Sequence, residues 1–144
     1  EADKSGYGYD MHMNGNVICR DFDVESGLAL NSKSELKLEN GFAAFTKDFF
    51  DNGAYVIENN QTHEVSLRDP EGKNYLNVYF PEAPLFGLWS AEKKNAPYAA
   101  IEPWFGRCDK EDFNGSLEER EWGHALAQGA CFQAAYTIEI AGED

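Results

Sequence analysis

No apolar stretch in this chain has the length and the three-to-four spacing of a free-standing helix. That single fact removes most architectures at the outset. The hydrophobic residues fall instead into short runs closed by glycine, proline or asparagine. Tyr7, Tyr9, Met11 and Met13 alternate with Gly8, Asp10 and His12, the period of two that half-buries a strand. Asn14-Gly15-Asn16 is a turn, and Val17-Ile18-Cys19 starts a second strand, so the pair reads as a hairpin. Asp21 to Asn40 is charged and weakly patterned, and fits either short strands or an excursion.

Further along, Phe42, Phe45, Phe49 and Phe50 are spaced near three and four, which predicts one or two helical turns held by packing. Ala54–Ile57, His63–Arg68 and Tyr75–Phe80 read as three strands of an antiparallel meander, with Asp69-Pro70-Glu71-Gly72 a clear turn. Leu85–Trp89 is another short strand, and Pro97–Glu102 a strand after a polar loop. Cys108–Leu117 reads as loop, Glu118–Ala127 as a helix start or, given Gly123, a passage from loop to strand, and Phe132–Ile140 as the last strand. Short strands at close spacing give an all-β, antiparallel β-sandwich. The 144 residues suffice for a single domain with a real core.

Charge narrows the partners. With Asp and Glu at 26 against Lys and Arg at 12, the formal net charge is −14. Such a surface repels phosphate backbones and anionic membranes, so neither nucleic acid nor membrane is expected as a partner. Cys19, Cys108 and Cys131 are odd in number and lack metal-site spacing. They fit reduced thiols in a cytoplasmic protein, and no metal is expected.

The chemistry concentrates in Ala99-Ala100-Ile101-Glu102-Pro103-Trp104-Phe105-Gly106. One carboxylate stands at the end of an apolar run, followed by a proline, two aromatics and a glycine. An acid in such a place can be partly desolvated, which suits it to accept or give a proton near neutral pH. The same pattern also describes an ordinary strand end. Trp89 and Trp104 offer flat faces that fit either a sugar ring or the core. Arg107 fits sugar hydroxyls or an ion pair with Asp109 or Glu111.

The Ile101-Glu102-Pro103-Trp104-Phe105-Gly106 string, together with Leu85-Phe86-Gly87-Leu88-Trp89-Ser90 upstream and the strand near Cys131–Ile140, resembles the C-terminal part of the aldose 1-epimerase (galactose mutarotase) family. The likeness is good from about Phe42 to Ile140 and weak before that. It implies that the sandwich is part of a galactose mutarotase-like supersandwich, and that Glu102 is the base interconverting α and β anomers of a hexose. No cofactor is implied. The family's acid is a histidine in a motif absent from this chain. His12, His63 and His124 do not match it, and His12 reads as structural. The resemblance therefore implies a fragment, a cleaved product or one half of a split protein, completed by an N-terminal half. The missing initiating methionine points the same way.

The family's sugar-contacting Asp aligns with Gly53, so Asp51, two positions earlier, is the candidate for that contact; Asp51-Asn52-Gly53 also fits a plain turn. Two other functions remain open from sequence: a non-catalytic carbohydrate-binding β-sandwich, and an interaction half that merely packs on a partner.

Overall fold

A computed structural model describes residues 3–141. Ten strands form two antiparallel sheets: β1 (Gly8–Asp10), β2 (Val17–Phe22), β3 (Ala29–Leu36), β4 (Phe42–Ala44), β5 (Tyr55–Ile57), β6 (Glu64–Arg68), β7 (Asn74–Tyr79), β8 (Leu85–Trp89), β9 (Ala100–Trp104) and β10 (Thr137–Ile140). Sheet I runs in the order β10-β7-β6-β1-β4, and sheet II in the order β3-β2-β5-β8-β9. The only helical piece among the described residues is one 3₁₀ turn, Leu117–Glu119. Among the described residues no helix is long and apolar enough to cross a membrane.

The alternation read from sequence decides which side chains meet. Sheet I contributes Tyr9, Ala43, Val65 and Val78 to the core, and sheet II contributes Val17, Cys19, Ile57, Phe86 and Leu88. Phe45, Phe49 and Phe50 close one end around Tyr9, with ring centroids 4.8 Å apart for Tyr9–Phe45 and for Phe49–Phe50. The Tyr9 hydroxyl crosses the sandwich and donates to the carbonyl of Ala100 at 2.9 Å, so a buried ring of sheet I pins the start of β9 in sheet II.

Several local expectations change. Tyr7–Met13 and Val17–Cys19 do not pair as a hairpin. β1 bonds β4 and β6, whereas β2 bonds β3 and β5. The Asn14-Gly15-Asn16 turn carries the chain from one sheet to the other. Two amphipathic strands satisfy their apolar faces equally well face to face across a core, and the turn alone does not choose. The phenylalanines of 41–50 are not helical: β4 is a strand, and a following turn folds Phe49 and Phe50 into the core. The meander shrinks to the hairpin of β6 and β7, because β5 belongs to sheet II.

β9 begins at Ala100 and runs through Pro103 to Trp104, later than expected; it is an edge strand, where a missing N–H is tolerated. After it, residues 105–136 carry no strand among the named elements. Of the last strand only Thr137–Ile140 forms. It is exposed throughout, with Ile140 at 76 %.

Candidate functional site

The site lies on the face of sheet II turned away from the core. Antiparallel register places Arg20 opposite Val56, Val56 opposite Gly87, and Gly87 opposite Glu102, one row across four strands. Trp104 is two residues beyond Glu102 and therefore on the same face. Trp89, paired with Ala100, shares it too. Three of the residues singled out from sequence are thus brought onto one surface.

Within that surface Trp104 is locked by its neighbours. Its indole N–H donates to Oε2 of Glu102 at 3.3 Å. Its ring lies over Gly87, where an added Cβ would come within 2.9 Å of the ring atom Cζ2. Glycine at 87 is what lets the ring come down onto the sheet. Glu102 is half-buried. Its negative charge reaches the core: the Tyr9 hydroxyl is pushed up, first by burial and then by the Glu102 carboxylate.

The chain then crosses the sheet. Leaving β9 on one edge, it reaches β3 on the other: Ala29 N–H donates to the Asp109 carbonyl and Glu111 N–H to the Ala29 carbonyl, both at 2.9 Å. Between them Arg107 turns inward. Its guanidinium donates to Glu58, to Glu121 and, at 2.8 Å, to the Cys108 carbonyl. The Arg107 side chain is 1 % exposed and Glu58 is 5 % exposed. Burial pushes the Glu58 carboxyl up, but hydrogen bonds and charge from Arg107 and then Arg20 outweigh it and hold the group below the ordinary glutamate range.

A cleft of about 510 Å³ opens beside this strap, lined by Phe22, Gly27, Trp104, Phe105, Arg107 and Cys108 among others. It is shallow and broadly open to solvent. Trp104 lines it, whereas Glu102 does not.

The remaining candidates sit apart. Arg107 is spent on protein partners, and its acid partners are Glu58 and Glu121 rather than Asp109 or Glu111; Asp109 pairs instead with Arg120 at 2.6 Å. Asp51 lies in the turn before β5 and lines a separate groove of about 420 Å³ with Lys4, Phe50 and Lys93. Trp89 donates its indole N–H to Glu92 at 3.1 Å and packs on Tyr98. Gly53, at φ +89°, faces that same Glu92 carboxylate, its hypothetical Cβ 3.7 Å from Oε1.

All three imidazoles have partners. His12 bonds Ser66 Oγ at 2.7 Å, His63 lies 3.2 Å from the Phe80 carbonyl, and His124 bonds the Phe105 carbonyl. Among the described residues no group of three or more His, Cys, Asp or Glu side chains is placed to hold a metal. Sequence reasoning missed Glu58 and Arg20. A glutamate directly after the apolar run Tyr55–Ile57 was the available hint, because a charge abutting a core strand needs a partner.

Solved structures share this architecture. The chain superposes on a galactose mutarotase related enzyme from Lactobacillus acidophilus with a TM-score of 0.83 and 28 % identity, over 98 % of this chain and 47 % of that one. The chain has the galactose mutarotase-like fold. A galactose mutarotase-like protein from Lactobacillus casei gives a TM-score of 0.82 at 22 % identity, over 98 % of this chain and 49 % of that one, and shows the same fold. This mutarotase-like chain thus spans about half the length of the structures it matches. No family model matches it, and no curated protein does.

Proposed function

We propose that this chain supplies the proton-accepting half of an aldose 1-epimerase-like isomerase, with Glu102 as the base. The observation that carries the reading is the Glu102–Trp104 pair, a carboxylate held at 3.3 Å by the N–H of an indole that lines a cleft of about 510 Å³. It stands in a chain that is 28 % identical to a mutarotase related enzyme.

Ring opening of an aldose needs a proton taken from the C1 hydroxyl and one given to the ring oxygen, with no electron transfer. Glu102 takes the first. The second comes from an acid on the complementary half, the partner this reading requires. A hexose ring packs on Trp104, with Trp89 on the same face. Asp51, if it meets the sugar, does so from its separate groove. Arg107 serves the site by holding the strap. The expected setting is the cytoplasm, where thiols such as Cys19, Cys108 and Cys131 stay reduced.

A second reading, a carbohydrate-binding module without turnover, is favoured by one observation: all three imidazoles are hydrogen-bonded to protein groups. Polarimetry of fresh α-glucose or α-galactose with the complete protein decides between them. The isomerase reading expects accelerated mutarotation that Glu102→Gln abolishes while sugar binding persists. Binding with no acceleration in the wild type selects the module. Equal turnover in Glu102→Gln and wild type removes Glu102 as the base.

A further inference from the structure

We propose that Glu58 is the positioning residue of this site: by tying the strap across sheet II it fixes where Trp104, and through Trp104 the Glu102 carboxylate, stands. The inference rests on the reading of Glu102 as the reacting acid.

Glu58 follows β5, in the middle of sheet II, and serves one guanidinium with each oxygen. Its Oε2 accepts Nε and Nη2 of Arg20 at 3.3 and 3.2 Å. Its Oε1 accepts Nε of Arg107. Arg20 uses its third nitrogen on the β3 carbonyls of Leu30 and Asn31, at 3.1 and 3.2 Å. The carboxylate is therefore a joint between the β2–β3 side of the sheet and the strap that leaves β9. Glu121 supplies a second negative charge to Arg107 and takes Lys110 at 2.8 Å on its other oxygen.

Buried ion clusters are weak sources of stability, because desolvation offsets much of the attraction. What they do supply is direction, since a planar fork accepts a carboxylate only within a narrow range of approach. Arg107 is three residues after Trp104, and Gly106 between them adds no side chain to stiffen the link. On one side Trp104 is set by its pairing with Leu85. On the other it is set by where Arg107 is anchored. Without Glu58 the strap keeps its far tether, the Asp109–Ala29 bond, but loses the near one.

The test uses the complete protein and two readouts. Turnover is followed by polarimetry. The indole N–H resonance of Trp104 is followed by NMR and identified by its disappearance in Trp104→Phe. Glu58→Gln keeps the shape and removes the charge. It is expected to lower kcat about tenfold to a hundredfold, to leave KM within about threefold, and to move the Trp104 resonance more than those of Trp89 and Trp122. Val78→Ala, a core change in sheet I, is the control for lost stability. An unmoved Trp104 resonance or an unchanged kcat in Glu58→Gln overturns the proposal. So does an equal kcat loss in Val78→Ala at matched Tm. Should Glu58→Gln fail to fold, Arg107→Lys, which keeps the charge and loses the fork, carries the same two expectations. A wild type without turnover defeats the isomerase reading instead, and the Trp104 resonance then decides the positioning role by itself.

Discussion

The indole N–H of Trp104 donates to Oε2 of Glu102 at 3.3 Å, while the ring of the same residue covers Gly87 on the neighbouring strand. One side chain thus does two things: it orients the carboxylate and it roofs the sheet beside it. Separating those roles gives the first prediction. Trp104→Phe keeps an aromatic roof and deletes the donor. Loss of one hydrogen bond to a partly solvated carboxylate corresponds to about 1 kcal/mol, so mutarotation by the complete protein is expected to slow about fivefold, with Tm almost unchanged. Polarimetry and a thermal melt check both halves of the statement.

Gly87→Ala attacks the roof from below. A methyl at 87 would stand 2.9 Å from the Trp104 ring. The indole must lift, and overpacking of this kind costs about 1–3 kcal/mol. The expected outcome is a lower urea midpoint with a red-shifted tryptophan emission as Trp104 enters water. Unchanged emission would show that the backbone, rather than the ring, gives way.

Acid should loosen the strap in a definite window. Glu58 has a folded-state pKa below its ordinary value, because Arg107 and Arg20 outweigh its burial. A carboxyl shifted this way adds stability that is present above its unfolded pKa, about 4.3, and is lost as pH falls through the lower folded value. Stability is therefore expected to drop below about pH 4.3 more steeply in wild type than in Glu58→Gln. Urea denaturation at a series of pH values measures the difference in slope.

Tyr9→Phe tests the link between the core and the site. The change removes the only atom with which Tyr9 reaches the Ala100 carbonyl, at 2.9 Å. Leaving that acceptor without its donor costs about 1–3 kcal/mol. Amide hydrogen exchange should quicken in Ala100–Glu102 before it does in β7 of the opposite sheet. Equal protection in the two places would mean that β9 is held by its pairing with β8 alone.

How far the sequence revealed this molecule depends on the range of the interaction in question. The alternation in Tyr75–Phe80 and the short apolar run of Leu85–Trp89 are properties of adjacent residues, and both appear as strands within a residue of expectation. Sheet membership is not local. Nothing in Asn14-Gly15-Asn16 says that the next strand joins the other sheet, because that choice is made by β5 and β8, some forty and seventy residues away. The phenylalanines of 41–50 had helical spacing only because a turn lets a short strand and two further rings reach one core.

The Glu102 motif was legible because its residues are consecutive, and strand geometry then set Trp104 beside the acid. Glu58 was not legible, since its partners Arg20 and Arg107 lie 38 and 49 positions away. Arg107 was visible as a residue but not as a commitment, for the same reason.

The Asp109–Ala29 bond has a kinetic consequence. It joins positions eighty apart in the chain, and contacts so distant in sequence carry a large closure entropy that must be met before they return anything. The strap has no sheet to dock on until β2, β3, β5 and β8 have assembled. It is therefore expected to be the last piece to latch during refolding and the first to release under stress, so that heat or denaturant disarms the protein before it unfolds it.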